Sequence, residues 1–205
     1  MTDLWQIERE LKDTYPILCG VDEAGRGPLA GPVVAAAVVL RDGTELSGLD
    51  DSKKLTEPQR DALFTEICTK AVSYGIGLAT EEEIDEINIL NATYQAMNRA
   101  IENMAVVPDL CLIDGNRANG VEYANQCIVK GDSKCASIAA ASILAKVFRD
   151  RIMTVLHDEY PQYGFDRHKG YPTKAHYAAL EEHGPSPVHR KSFLKKWEAA
   201  RCNKN

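Results

Sequence analysis

The chain has 205 residues, 44% of them hydrophobic, and a formal net charge of −6. That length buries one good core with room for a small appended subdomain, so a single domain over 1–205 is expected, with a basic helical segment from about 160. The N-terminus Met1-Thr2-Asp3-Leu4-Trp5-Gln6 has no signal-peptide character and no apolar run reaches about 18 residues, so a soluble, cytoplasmic, monomeric protein without membrane contact is expected. The six cysteines, at 19, 68, 111, 127, 135 and 202, show neither Cys-x-x-Cys nor zinc spacing. They read as buried free thiols, and the sequon Asn91-Ala92-Thr93 has no compartment in which to matter.

The charge is polarised along the chain. Residues 1–140 carry 12 Lys+Arg against 23 Asp+Glu, and residues 141–205 carry 12 against 7. An acidic body with a basic tail is compatible with metal binding in one part and phosphate contact in the other, although solvated helix faces give similar counts.

In chain order, Leu4, Ile7 and Leu11 have helical spacing within 3–13, and Tyr15-Pro16 ends that helix. Strands are expected at 17–21 and 33–40, joined by Gly20-Val21-Asp22-Glu23-Ala24-Gly25-Arg26-Gly27-Pro28-Leu29-Ala30-Gly31-Pro32. A polar loop through Asp51-Ser52-Lys53-Lys54-Leu55 precedes a helix from about Pro58 to Lys70, with Thr56 and Gln59 at capping-box spacing. A strand over 71–79 follows. Thr80 and Glu83 open a long helix to about Met104, with Ile84, Ile87, Leu90, Tyr94, Met97 and Ile101 on one face. Short strands at 110–113 and 126–129 end at Asp114 and near Asp132. Ser133 is placed to N-cap a helix running to about His157. An irregular loop over 163–172 and short helices near 173–182 and 190–201 complete an α/β architecture: a mixed sheet flanked by helices, with a helical C-terminal region.

Four carboxylates lie at strand ends: Asp22, Glu23, Asp114 and Asp132. A carboxylate without a partner is costly to bury, so such a group implies a cation, a basic partner or a raised pKa. Mg²⁺ and Mn²⁺ prefer hard oxygen ligands, and a pair of ions about 3.5–4 Å apart suits in-line displacement at a phosphodiester. A lone strand-end aspartate more often forms a turn; four together weaken that explanation. Successive strand side chains point to opposite faces, so Asp22 and Glu23 cannot both reach one ion from a regular strand. Either a bend before Gly25 reconciles them, or Glu23 acts through water or its backbone carbonyl.

Residues Gly25-Arg26-Gly27-Pro28-Leu29-Ala30 formally fit the dinucleotide fingerprint G-x-G-x-x-A. The context rejects that reading, because two prolines lead into an apolar strand where the fingerprint must open a helix. Glycines also allow close backbone approach to a sugar or phosphate. Tyr171 lies among Arg167, Lys169 and Lys174, and the tail adds Arg190, Lys191, Lys195 and Lys196. This is the composition of a nucleic-acid surface, and equally of a solvated helix face around a packed tyrosine. The histidines at 157, 168, 176, 183 and 189 have no metal-ligand spacing and are read as surface or packing residues, with His189 a candidate phosphate contact.

Residues 20–32 closely resemble the signature of bacterial ribonuclease HII. Asp51-Ser52-Lys53-Lys54-Leu55, Ile113-Asp114-Gly115, Lys130-Gly131-Asp132-Ser133 and Gly170-Tyr171-Pro172-Thr173 are similar to that family's later motifs, in order, over about 17–197. The resemblance implies a ribonuclease H-like fold and a tetrad of Asp22, Glu23, Asp114 and Asp132 holding two Mg²⁺ or Mn²⁺ ions. It implies an endonuclease acting on RNA–DNA hybrids and on single ribonucleotides in duplex DNA, leaving a 3′-hydroxyl and a 5′-phosphate. Gly25, Arg26 and Gly27 would contact the 2′-hydroxyl region, Tyr171 would stack on the sugar at the RNA-to-DNA junction, and Lys53 would contact substrate. Ribonuclease HIII is disfavoured, since it would carry an N-terminal extension and a glutamate at the last acidic position. The competing class is a non-catalytic nucleic-acid or nucleotide-binding module with a structural metal.

Overall fold

The computed structural model describes residues 3–46, 48–49 and 55–202. The elements in order are α1 (Gln6–Leu11), β1 (Leu18–Ala24), β2 (Val33–Val39), α2 (Glu57–Lys70), β3 (Ser73–Ala79), α3 (Glu81–Glu102), β4 (Leu110–Asp114), β5 (Asn125–Ile128), α4 (Ala136–Glu159), α5 (Phe165–His168), α6 (Lys174–His183) and α7 (Lys191–Cys202). Five strands form one mixed sheet in the order β3-β2-β1-β4-β5. The β1–β2 and β2–β3 pairs are antiparallel, whereas β1–β4 and β4–β5 are parallel. The expected α/β fold with a helical C-terminal region is therefore present.

Alternation along β1 explains how the sheet is covered. Cys19 and Val21 face α3 and pack with Ala92, Ala96 and Ala100. The opposite face meets α4, where Ala36 and Val38 of β2 pack with Ala140, Ile143 and Leu144, and α2 adds Leu63 and Ile67. The small residues of α4 permit a very close approach. A Cβ built on Gly20 would lie 2.1 Å from the Ser137 carbonyl carbon and 2.3 Å from the Ile138 nitrogen. A third cluster joins Leu29 and Ala30 to Tyr163, Phe165, Leu180 and Leu194. The C-terminal helices thereby clamp the loop that leaves β1.

Several sequence expectations change in detail. Strand β1 runs through both acidic residues to Ala24, with Asp22 opposite Ala36 and Glu23 opposite Ala35. There is no bend before Gly25; the chain turns at Gly25 itself, with φ +100°. The long helix is interrupted at Asn88, whose φ is 68° and ψ 162°. Its Oδ1 accepts from the Leu90 and Asn91 amides at 3.0 and 3.2 Å, so Asn88 restarts the helix as an internal cap. That break rotates Leu90 off the apolar face and leaves it 38% exposed.

Ser133 does not cap α4. It lies in a 3-10 turn over Gly131–Ser133, and the helix begins three residues later, at Ala136 after Cys135. The cap comes from far away in sequence: Glu8 Oε1 on α1 accepts from the Ser137 amide at 3.0 Å and from its hydroxyl at 3.1 Å. A carboxylate there also complements the helix dipole. The 163–172 stretch, expected to be irregular, contains the short α5. Cys19, Cys111 and Cys135 are buried free thiols, while Cys68 and Cys127 are partly buried. Among the described residues no helix is long and apolar enough to cross a membrane.

Candidate active site

The parallel register Val21↔Ile113 sets the ends of β1 and β4 side by side. A cavity of about 260 Å³ opens there, lined by Asp22, Glu23, Ala24, Gly25, Arg26, Gly27, Asp114, Ser142, Lys146 and Tyr171. Asp22 points to the α4 side, as its partner Ala36 does, and Glu23 to the α3 side with Val21. A second cavity of about 280 Å³ shares Glu23, Arg26 and Asp114 and extends toward Tyr94 and Arg117. The two carboxylates of a regular strand thus reach one site because the cavity wraps around the end of β1, where the chain turns at Gly25 just past Ala24.

Asp22 is only 6% exposed. Burial, reinforced by the charges of Glu23 and Asp114, pushes its carboxyl well above the usual range, against hydrogen bonds from Ser142 and the Glu23 amide. The Glu23 amide donates to Asp22 Oδ1 at 2.7 Å. Burial also raises Glu23, opposed by Arg26, whose guanidinium lies 3.3 Å from Glu23 Oε1. Asp114 Oδ1 accepts from the Gly131 amide at 2.6 Å. Asp132, buried in the following turn, is tied to the site through that neighbour but does not line the cavity.

Asp22, Glu23 and Asp114 bring hard oxygens to one cavity, where the charge of Asp114 disfavours ionisation of both Asp22 and Glu23. That donor set suits a divalent cation, which would offset the repulsion. Among the described residues, no three His, Cys, Asp or Glu side chains already stand grouped as a metal cage.

Tyr171 is 42% exposed, and a Cβ on Gly27 would lie 3.6 Å from its ring, so the tyrosine and the Gly-Arg-Gly loop share one rim. Lys53 lies outside the described residues, as do Asp51, Ser52 and Lys54. Among the tail cations, Lys191, Lys195 and Lys196 are exposed, but Arg190 is fully buried and does not belong to a phosphate-binding surface. His189, 1% exposed, is likewise no phosphate contact.

Ser142 and Lys146 were missed from sequence. Their i, i+4 spacing puts them on one side of α4, but only the packing of that helix against β1 shows that this side meets Asp22. Lys146 is held by Asp150 at 2.6 Å. Arg149 was missed as well. Buried to 1%, it donates to the carbonyls of Pro32, Lys169 and Ala30 at 3.0, 3.0 and 3.1 Å, stapling the loop after β1 to the segment before Tyr171. Its side chain fills the space beside Gly25, where a Cβ would come within 2.1 Å of the Arg149 Nε.

Below Tyr171 lies a histidine cluster whose partners fix the tautomers. The Ser186 amide donates to His189 Nδ1 at 3.0 Å, so His189 carries its proton on Nε2 and donates across 2.9 Å to His176 Nε2. His176 then donates from Nδ1 to the Tyr171 carbonyl at 3.0 Å. His168 stacks on His176 with ring centroids 4.5 Å apart. Burial lowers both His176 and His189 to about 4. The folded protein therefore binds fewer protons than the unfolded chain between about pH 6.5 and 4, and stability falls as pH drops through that window. Denaturant melts at pH 7, 5.5 and 4.5 should show a loss on the order of a few kcal/mol. The double variant His176→Asn/His189→Gln should flatten much of that slope; an unchanged slope would remove the histidines as its source.

Comparison with known proteins places these features in context. The family model for ribonuclease HII matches residues 19–196. A ribonuclease HII of Dechloromonas aromatica is 59% identical over 177 residues, 86% of this chain and 90% of the relative. One from Clostridioides difficile is 57% identical over 181 residues, 88% of this chain and 71% of the relative. Among solved structures, ribonuclease H2 from Pyrococcus horikoshii superposes with a TM-score of 0.76 at 29% identity, covering 92% of this chain and all of the other. The Bst-RNase HIII structure in complex with Mn²⁺ shares the fold, with a TM-score of 0.68 at 19% identity over 92% of this chain and 70% of that one.

Proposed function

The chain belongs to the ribonuclease HII family, and from that premise we propose that it cuts the RNA strand of RNA–DNA hybrids and cleaves 5′ of single ribonucleotides embedded in duplex DNA. It is a hydrolase of the ribonuclease H type, dependent on a divalent metal. The observation that carries the finer reading is the cavity in which Asp22, Glu23 and Asp114 share walls with Gly25, Arg26, Gly27 and Tyr171.

In this reading Asp22, Glu23, Asp114 and Asp132 hold two ions, Mg²⁺ or Mn²⁺. Held there, such ions would supply a nucleophilic water and stabilisation of the leaving oxygen. The chain's own residues do the rest. Burial of Asp22 keeps its oxygens ordered, with Ser142 and the Glu23 amide orienting them. The backbone of Gly25-Arg26-Gly27 reads the 2′-hydroxyl, the feature that separates RNA from DNA. Tyr171, on the same rim, stacks on the sugar at the junction. Products with a 3′-hydroxyl and a 5′-phosphate suit a role in ribonucleotide removal during DNA replication and repair, and the protein acts as a single-domain monomer.

The test is cleavage of a duplex carrying one ribonucleotide, mapped to the nucleotide, with Mg²⁺ or Mn²⁺ and after chelation. Cleavage 5′ of the ribonucleotide, lost on chelation, is expected. A protein that cuts neither this duplex nor a hybrid is instead a binding module. Tyr171→Ala is expected to reduce kcat/KM at single-ribonucleotide junctions by about tenfold, in the range of a lost stacking contact of ~1–3 kcal/mol, and to affect long hybrids less. Equal losses on the two substrates would remove the junction role.

A further inference from the structure

Two neighbouring buried residues, His189 and Arg190, underlie both parts of the rim described above, and neither lines the cavity. Arg190 sends its guanidinium beneath the loop after β1. Nη2 donates to the carbonyls of Gly25 and Gly31 at 2.6 and 2.7 Å, Nη1 to those of Arg26 and Pro28 at 3.2 and 2.9 Å, and Nε to Gly31 at 2.9 Å. Its backbone amide donates to Leu29 at 2.8 Å. A charge this deeply buried among neutral carbonyls costs desolvation, and burial lowers Arg190 to about 9.

The geometry has a directional consequence. No cis peptide occurs among the described residues, and in a trans peptide the C=O of one residue and the N–H of the next point in opposite directions. Capture of the Gly25 and Arg26 carbonyls by Arg190 therefore turns the Arg26 and Gly27 amides away from the buried cation, on the side where those residues wall the cavity. His189 acts on the other part. Through His176 it holds the Tyr171 carbonyl, and the Leu29 amide donates to the Gly170 carbonyl at 2.8 Å, tying the tyrosine segment to the loop.

We propose that the dipeptide His189-Arg190 is the positioning element for ribose recognition: Arg190 aims the Arg26 and Gly27 amides at the sugar, and His189, through His176, fixes Tyr171 beside them. The proposal rests on the ribonuclease reading of the cavity. Neither residue touches substrate, so their loss acts on discrimination more than on the chemical machinery at Asp22. Lysine at 190 keeps the charge, but a single ammonium cannot span four carbonyls.

The experiment is single-turnover cleavage of a duplex carrying one ribonucleotide and of the same duplex with a 2′-fluoro nucleotide at that position. Arg190→Lys, His176→Leu and His176→Asn are compared with wild type, each with a thermal melt. The preference for the ribonucleotide is expected to shrink about tenfold or more in Arg190→Lys and His176→Leu, since small misplacements of positioning groups carry large rate penalties. His176→Asn, which keeps an N–H for the Tyr171 carbonyl, is expected to retain most of it. Rates that fall together on both substrates, leaving the preference unchanged, would overturn the proposal and assign these residues to stability alone. If Arg190→Lys does not melt cooperatively, the His176 pair decides, and equal preference in Leu and Asn variants overturns the proposal. Wild type that cuts neither substrate removes the ribonuclease reading and this proposal with it, whereas wild type that cuts while the variants keep its preference removes only the proposal.

Discussion

Asp22→Asn should abolish cleavage while leaving the fold intact. The substitution keeps the shape of the side chain and removes one anionic oxygen donor from a cavity that Asp22 shares with Glu23 and Asp114. Losing one preorganised electrostatic group of this kind lowers turnover by on the order of 10³-fold. Stability should move the other way. Asp22 is buried and its charge is opposed by Glu23 and Asp114, so its ionised form weakens the fold at neutral pH. Without divalent ions the Asn variant should melt at the wild-type temperature or above it. Added Mg²⁺ or Mn²⁺, which should raise the melting temperature of wild type, should do so much less in the variant. Cleavage within a few fold of wild type would discard the carboxylate mechanism, and equal metal stabilisation of both proteins would separate Asp22 from metal binding.

Gly20→Ala is expected to be the most damaging single methyl group in the sheet. Its Cβ would stand 2.1, 2.3 and 2.5 Å from the Ser137 carbonyl carbon, the Ile138 nitrogen and the Ser137 oxygen, all backbone atoms of α4. No rotamer change can relieve that contact, so α4 must move off β1 or the strand must distort. Overpacking that shifts backbone costs about 3 kcal/mol or more. For a chain of this size that corresponds to a drop of roughly 10 °C in melting temperature. Activity should fall too, because the same helix delivers Ser142 and Lys146 to Asp22. Gly43→Ala is the control: a Cβ there has nothing within 4 Å, and only its positive φ of 75° opposes the change. A Gly20→Ala melt no lower than the control's would mean that helix and strand are not held at the spacing seen here.

Much of the fold follows from local chemistry. Thr80 caps α3 by accepting from the Glu83 amide at 3.3 Å, and Glu83 reaches back to the Thr80 amide at 2.9 Å, as the spacing predicts. Gln59 does the same for Thr56 at 2.8 Å. Apolar runs became β1, β2 and β4, and the acidic residues fell at their ends because a charge ends a buried strand. These are interactions within a few residues of one another, so the order of the residues is enough to reveal them.

Other features depend on segments that meet only in three dimensions. Glu8 caps a helix 128 residues later, taking the place expected for Ser133. Asn88 breaks α3 where periodicity alone continues it, because its side chain offers the next turn an alternative hydrogen bond. Arg190 and His189 carry tail charge and polarity in the sequence, yet the structure buries both beneath the loop after β1. The sequence by itself determined which residue types stand at the cavity: paired carboxylates, a glycine loop and a tyrosine. The tertiary structure alone decided how Asp22 and Glu23, on opposite faces of one strand, come to share it, and which buried cations hold the loop. The reason is physical: a side chain's direction follows from its own strand, but its surroundings are set by packing of elements distant in the chain.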